Sequence, residues 1–383
     1  MKIGIVSYNI NSELHNYGAA LHSWAFQQYL RKQGVDSVII DYFPKAIEDW
    51  NLKFPVLHRN RPWSLKYFVR DVVNWGGIGL INNYRKWKKI ERFFANHSKK
   101  TLKKYHQNEL LSITEIEGNR FDVFVCESDV IWKIGPNSRF DDVFLLKMPC
   151  AEGCIKIAYA PSLSSKGFSI EQLAYFKDAV EEFKAISVRE KQSADYLSQV
   201  LKREIEWVLD PTLLLNEKDY MPIIKAPQER GYLLVYNCMS DDLRMIREAK
   251  RLAKLLGKDL IEVSNYNMNR WVFCFSHKVK TAIGIEEFLG YVKNADFVIC
   301  NAFHGMCFSV VFKKQFFLFQ RDESDFRMQN ITDALGLQMR LVSPTIKRIP
   351  SEYHEIDYNM VYSRLEEHRK RSYNFINNNI VSI

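Results

Sequence analysis

The stretch "KIGIVSYNINSELHNYGAALHSWAFQQYLRKQGVDSVIIDY", residues 2–42, reads as one β-α-β unit. "KIGIVSY" is a short apolar run of strand length. "NINSELHNYG" is polar and loop-like. "AALHSWAFQQYLRKQG" places Leu21, Trp24, Ala25 and Tyr29 on one helical face and ends at Gly34. "DSVIIDY" is the second strand. Apolar strands joined through helices predict a parallel sheet covered on both faces.

The same alternation resumes downstream. Strands are expected at 121–129, 155–162, 185–190 and 206–215, and a helix capped by Ser169 with Gln172 behind it. Residues 216–230 are polar and hold two prolines, which marks a boundary. A second series follows, with strands at 232–238, 259–264, 297–302, 315–320 and 340–343. Helices at 241–256, 285–295, 305–314 and 325–336 alternate with them, and a last helix at 357–378 has no strand after it. The expected organisation is α/β: a first Rossmann-like domain over 1–215, a second over 216–350, and a 351–383 segment whose helix braces the first domain. A chain of 383 residues is long enough for two domains of about 150–200 residues.

Composition narrows the class. Hydrophobic residues make 47% and aromatics 14%, which excludes a disordered chain. No apolar run approaches the roughly 18–20 residues of a membrane helix. The first residues show no signal-peptide core, and the seven cysteines form no paired framework, so a cytoplasmic protein with reduced thiols is expected. Cys150 and Cys154 are a close pair without a second pair at zinc spacing, so no metal is expected.

The net charge of +9 is unevenly placed. Within an insert of about 45–110, residues 53–104 hold fourteen Lys/Arg against Asp71 and Glu91, interleaved with Phe54, Trp63, Tyr67, Phe68, Trp75, Tyr84, Trp87, Phe93 and Phe94. One reading is a helical region with a solvated basic face. Another is contact with anionic head groups. Nucleic acid is not expected, because no helix-turn-helix, finger or RNP-like pattern accompanies the charge.

In open parallel sheets, ligands lie at the carboxyl ends of strands. Four such places carry unusual residues. "HNYG" (15–18) precedes a helix N-terminus that either is a plain cap or receives an anion. "CESDVIWK" (126–133) sets Asp129 and Trp132 where an acid could accept sugar hydroxyls and a ring could stack; a helix cap is the equal competitor for Asp129. "SVRE" (187–190) puts Arg189 after a buried strand, where Glu190 or a ligand anion must balance it. "DFVICNAFHGMCFSVVF" (296–312) sets His304 and Gly305 at a strand–helix junction. There His304 is either a hydrogen-bonded core residue or a ligand contact, with Gly305 letting the backbone approach. Asp325 and Arg327 open the next helix, and an arginine there opposes the helix dipole unless an anion is near. Arg189, His304 and Arg327 together make a coherent anion pocket.

Six motifs, "NYGAALHSWAFQQYL", "CESDVIWK", "AYAPSLSS", "SVREKQSADYL", "VLDPTLLL" and "NAFHG", stand in the order of the polysaccharide pyruvyl transferase family, which the chain resembles over about residues 1–340. The resemblance implies a GT-B-like pair of domains facing a cleft. It implies phosphoenolpyruvate as co-substrate, with no separate cofactor, and a sugar of a surface polysaccharide or its lipid-linked precursor as acceptor. It assigns Arg189, His304, Gly305 and Arg327 to the donor, Asn16, Tyr17, Gly18, Asp129 and Trp132 to the acceptor, and His304 and Asp129 to catalysis. With such an acceptor, the basic-aromatic insert of residues 53–104 is expected near the acceptor or in peripheral contact with the inner membrane face. The acid that many members carry in the first loop is replaced here by Ala19, which leaves Asp129 and His15 as candidate bases. Two other functions stay open: a GT-B glycosyltransferase, for which Glu262 is the candidate ribose-binding acid, and a non-catalytic glycan-binding relative.

Overall fold

In a computed structural model of the protein, β1 (Ile3–Ser7) is buried at all five residues. That is the pattern of a strand covered on both faces. The structure describes residues 1–8, 16–45, 65, 68–69, 72–73, 76–135, 139–163, 167–238, 242–264, 274–320, 322, 326–346, 348–350 and 352–383.

Helix α1 (Tyr17–Lys32) follows, and the side chain of Asn16 caps it by accepting from the amides of Gly18 and Ala19. The sequence suggests one apolar face. Instead every residue from Tyr17 to Leu30 is buried, because α1 is packed against elements of both halves of the chain. Its polar residues therefore need internal partners. Gln27, for example, donates to the carbonyls of Ser37 and Lys99 and accepts from the Lys99 amide.

β2 (Ser37–Ile39) pairs with β1, and the short β3 (Tyr42–Phe43) and β4 (Tyr105–His106) form a separate parallel pair. Between β3 and β4 lies α2 (Ile78–His97) of the basic insert. β5 (Val123–Glu127), β6 (Ile155–Tyr159), α3 (Ile170–Val180), β7 (Phe183–Val188), α4 (Lys191–Leu201) and β8 (Glu206–Trp207) complete the first half. The predicted capping box of Ser169 and Gln172 starts α3. The strand within 206–215, expected to end at Asp210-Pro211, is only two residues long, and Asp210 and Pro211 start a 3-10 turn in which Asp210 accepts from the Thr212 amide.

The second half runs β9 (Tyr232–Asn237), α5 (Leu243–Leu256), β10 (Asp259–Ser264), β11 (Lys278–Lys280), α6 (Ile285–Asn294), β12 (Phe297–Cys300), α7 (Phe303–Val311), β13 (Gln315–Phe319), α8 (Phe326–Leu335) and β14 (Leu341–Val342). β11, with the sequence KVK, has no apolar run to announce it.

Both six-stranded sheets are parallel throughout. The first has the order β2-β1-β5-β6-β7-β8 and the second β11-β10-β9-β12-β13-β14. The second is the Rossmann order, 3-2-1-4-5-6 in its own strands. The order reverses between β1 and β5 in the first sheet and between β9 and β12 in the second. One apolar cluster runs through both halves, with Tyr17 of α1 stacked on Phe288 of α6 at 4.6 Å and Tyr220 edge-on to Phe308 of α7.

The last helix, α9 (Tyr358–Ile376), crosses back as expected. Arg369 donates to the carbonyls of Leu213 and Leu215, Ser372 accepts from the Leu209 amide, and Tyr373 stacks on Tyr29 of α1. Among the described residues no helix is long and apolar enough to cross a membrane.

Candidate active site

The first sheet's switch point is built from its own ends. Ser7 Oγ at the end of β1 donates to the Glu127 carbonyl at the end of β5 at 2.7 Å. The chain then passes through Ser128 and Asp129 with φ of 43° and 55°. Two successive side-chain-bearing residues in the left-handed region store strain of about 1–3 kcal/mol each. The Ser128 amide donates to Tyr159 O and the Ser162 amide to Asp129 O, both at 2.8 Å, which holds the kink.

This kink sends Glu127 and Asp129 toward the same imidazole. His22 Nδ1 lies 2.9 Å from Glu127 Oε1, and His22 Nε2 lies 3.6 Å from Asp129 Oδ2. Ser23 Oγ donates to Glu127 Oε2 at 3.0 Å. Burial alone would lower the His22 pKa, but Glu127 and then Asp129 lift it to about 10. His22 is therefore an imidazolium at neutral pH. Burial would raise the Asp129 pKa, yet the contact with and charge of His22, with Arg189 and His304, hold it well below the usual carboxylate range.

A second centre lies beside the first. Asp210 Oδ1 accepts from the Thr212 amide and hydroxyl, while Oδ2 accepts from Ser128 Oγ at 3.0 Å and Arg189 Nη1 at 2.8 Å. His304 Nε2 is 3.5 Å from the same oxygen. Burial would raise the Asp210 pKa, but His304, Arg189 and His22 hold it well below the carboxylate range. Arg189 also faces Glu190 at 3.5 Å and lies over the Phe303 ring at 4.4 Å. Arg327, in the first turn of α8, is near enough to Glu190 to act on its charge, although burial leaves the Glu190 pKa raised.

His304 is contributed by the second half. Helix α7 starts two residues earlier than expected, at Phe303, so His304 stands in its first turn. Its ring stacks on His22 at 5.9 Å with 21° between planes. A Cβ on Gly18 would stand 2.1 Å from His304 Nδ1, so the glycine is what admits the imidazole to α1. Of these two centres, Asp129 and His304 are the least buried, with side chains 16% and 11% exposed; Glu127 and Asp210 are at 0% and Arg189 at 4%.

The structure thus joins Arg189, His304 and Asp129, with Gly18 and Arg327 at the margins. Four other assigned residues have packing or capping roles in the fold. Trp132 is fully buried, donates to Phe144 O and is packed edge-on by Phe176 and Phe183, so it offers no face to a sugar. Tyr17 is fully buried and serves the packing of α1 on α6. Asn16 spends its amide oxygen on the α1 cap. Gly305 allows α7 to approach its sheet, since a Cβ there would lie 2.9 Å from Cys300 and Tyr236. His15 and Asp325 lie outside the described residues.

His22, Glu127 and Asp210 were not singled out by sequence. The signal was present in the second and third of these, as acids ending apolar strand-like runs; His22 was hidden by its helix. Tyr8, just past β1, was also missed: burial and the charges of Asp129 and Asp141 push its hydroxyl up to about 12.

The second sheet's switch point is neutral by contrast. Asn301 accepts from the Cys238 amide and donates to Asn237 Oδ1, and Asn237 donates to Glu262 Oε1. Glu262 is fully buried and its Oε2 is 2.8 Å from His277 Nε2. It is thus tied into the protein rather than turned to a ribose. Among the described residues no group of three His, Cys, Asp or Glu could hold a metal ion.

Fold and site together define an α/β enzyme with two parallel sheets and a charged centre completed across them. The polysaccharide pyruvyl transferase family profile matches residues 16–323. The chain belongs to that family and is a transferase of polysaccharide pyruvylation. No curated protein matches it. Among solved structures it is similar to the UDP-GlcNAc 2-epimerase of Methanocaldococcus jannaschii, at 12% identity over 96% of this chain and 93% of that one, with a TM-score of 0.43. It is also similar to the UDP-N-acetylglucosamine 2-epimerase of Rickettsia bellii, at 10% identity over 100% of both chains and a TM-score of 0.46. The E. coli heptosyltransferase WaaC follows at 12% identity, 96% and 100% coverage and 0.38. At these scores the likenesses bear on neither substrate nor mechanism.

Proposed function

We propose that the protein moves the enolpyruvyl group of phosphoenolpyruvate onto two hydroxyls of one sugar in a surface polysaccharide or its lipid-linked precursor, at the inner membrane face. The product is a pyruvate ketal, and phosphate is released. The observation that carries this reading is the meeting of His304 and Asp129 as the two least buried side chains at the centre of the charge cluster.

The donor needs a proton at C3 to make C2 electrophilic. His304, oriented by Asp210, gives that proton. A sugar hydroxyl then attacks C2, and the proton it loses restores the one that His304 gave to C3. The C2–O bond to phosphate breaks, and the second hydroxyl closes the ketal, its proton leaving with phosphate. Asp129 accepts a hydrogen bond from the attacking hydroxyl. So acidic a carboxylate is a weak base, which suffices against an oxocarbenium-like carbon. Arg189 and His22 supply fixed positive charge for the donor's anions. Arg189 is already held by Asp210 and Glu190, so a direct grip on the donor carboxylate would replace its looser contact, Glu190. Arg327 is the second cationic anchor.

The test is incubation with phosphoenolpyruvate and the glycan intermediates of the host, followed by phosphate release and the ketal methyl NMR signal. Turnover that disappears in His304→Gln is expected. Absence of turnover across that panel would overturn the reading. Stabilisation of the fold by a nucleotide but not by phosphoenolpyruvate would favour a nucleotide-sugar transferase instead.

A further inference from the structure

We infer that the outer face of the basic insert, carried by residues 65, 68, 69, 72 and 73 and by α2 as far as Arg92, is a docking surface for a membrane rich in anionic lipid. The inference extends the lipid-linked acceptor reading, but it stands on its own observations.

The first is apolar exposure. Eight large apolar residues, Leu65, Phe68, Val69, Val72, Val73, Ile78, Ile81 and Tyr84, are 37–62% exposed within twenty positions. The described residues elsewhere expose large apolar side chains singly or in pairs. Residues 65, 68, 69, 72 and 73 are all helical, and their spacing of three and four makes one stripe. Such a concentration calls for a partner.

The second is charge, and it selects the partner. On α2 the exposed face begins apolar, at Ile78, Ile81 and Tyr84, and continues as Arg85, Lys88 and Arg92. Apolar residues at one end and cations behind them suit insertion among acyl chains with the cations at head-group level. Residues 53–104 carry fourteen Lys/Arg against two acids, so a second copy of this chain would bring like charge to like charge.

The third is anchorage. The opposite face of α2 buries Asn82, Asn83, Ile90, Phe93 and Phe94. Lys89 Nζ bonds Glu287 at 2.7 Å and Ala282 O at 2.9 Å, which fixes α2 to α6. Lys86 Nζ lies 4.5 Å over the ring of Tyr17, whose neighbour Gly18 meets His304. A membrane bound to the outer face would lie on the α1 side of the active site.

The full chain is mixed with vesicles of phosphatidylcholine alone, or with phosphatidylglycerol added, and floated through a density gradient. Binding to the anionic vesicles and not to the neutral ones is expected. The triple variant Arg85→Glu, Lys88→Glu, Arg92→Glu is expected to weaken it on the order of a hundredfold or more. The double variant Ile78→Asp, Ile81→Asp is expected to weaken it at least about tenfold, with far-UV circular dichroism and melting unchanged for both. Equal binding to neutral vesicles, or unaltered binding by both variants, would overturn the inference. So would a dimer in solution that either variant dissolves, since the face would then be an interface between copies. Turnover on a water-soluble acceptor fragment separates the two proposals: binding without turnover refutes the pyruvyl transfer, and turnover without binding refutes the surface.

Discussion

The two sheets end in opposite chemistry. At the switch point of the first, His22, Glu127, Asp129, Arg189 and Asp210 are interlocked through close acid–base contacts. At that of the second, Asn237, Asn301 and Cys238 form a largely amide network, with Glu262 in contact with His277. The difference teaches how labour is divided. The first sheet fixes a charge field, and the second lends it the imidazole of His304, with Arg327 at its margin.

The contrast can be broken most severely at Asp210. Asp210→Ala leaves Arg189 buried beside Glu190 alone and removes the carboxylate facing His304. Removing one partner of a buried pair costs about 3–5 kcal/mol. Urea unfolding is expected to show that loss, with activity abolished. Gly18→Ala acts through His304 alone, since the new methyl would overlap Nδ1. A loss of roughly 1–3 kcal/mol of stability is expected, with kcat falling more than the affinity for phosphoenolpyruvate.

The pH dependence sharpens the comparison. His22 has a folded pKa raised from 6.5 to about 10, so its stabilising contribution is fully present below 6.5 and is lost as pH rises through about 10. Asp129 and Asp210 are depressed, so theirs is present above 3.8 and is lost as pH falls below it. Thermal unfolding against pH is expected to fall on both sides, and His22→Gln to flatten the alkaline side. The mildest change is on the neutral sheet. Asn301→Ala removes two amide hydrogen bonds and is expected to cost about 1–3 kcal/mol in urea unfolding, with a smaller effect on kcat than any change in the charged cluster.

Much of this was legible in residues 2–42 and 296–312. Short apolar runs alternating with helices announce parallel sheets, and Arg189 and His304 stand out because a buried strand end has no use for a lone charge. β11 was not legible, because a KVK edge strand has no apolar period. Nor were the roles of Trp132 and Gly305, whose surroundings come from Phe176, Phe183, Tyr236 and Cys300, distant or across a strand–helix turn.

The sequence by itself determined the fold class and the strand ends at which charge would gather, because both depend on local periodicity and on the cost of burying an ion. Only the tertiary structure decided the partners. Asp210 reaches Arg189 across 21 residues and His22 reaches Glu127 across 105, while His304 arrives from the other sheet. No local pattern encodes those distances. They follow from α1 being packed between the halves, which turns a polar helix residue into the buried cation of the site.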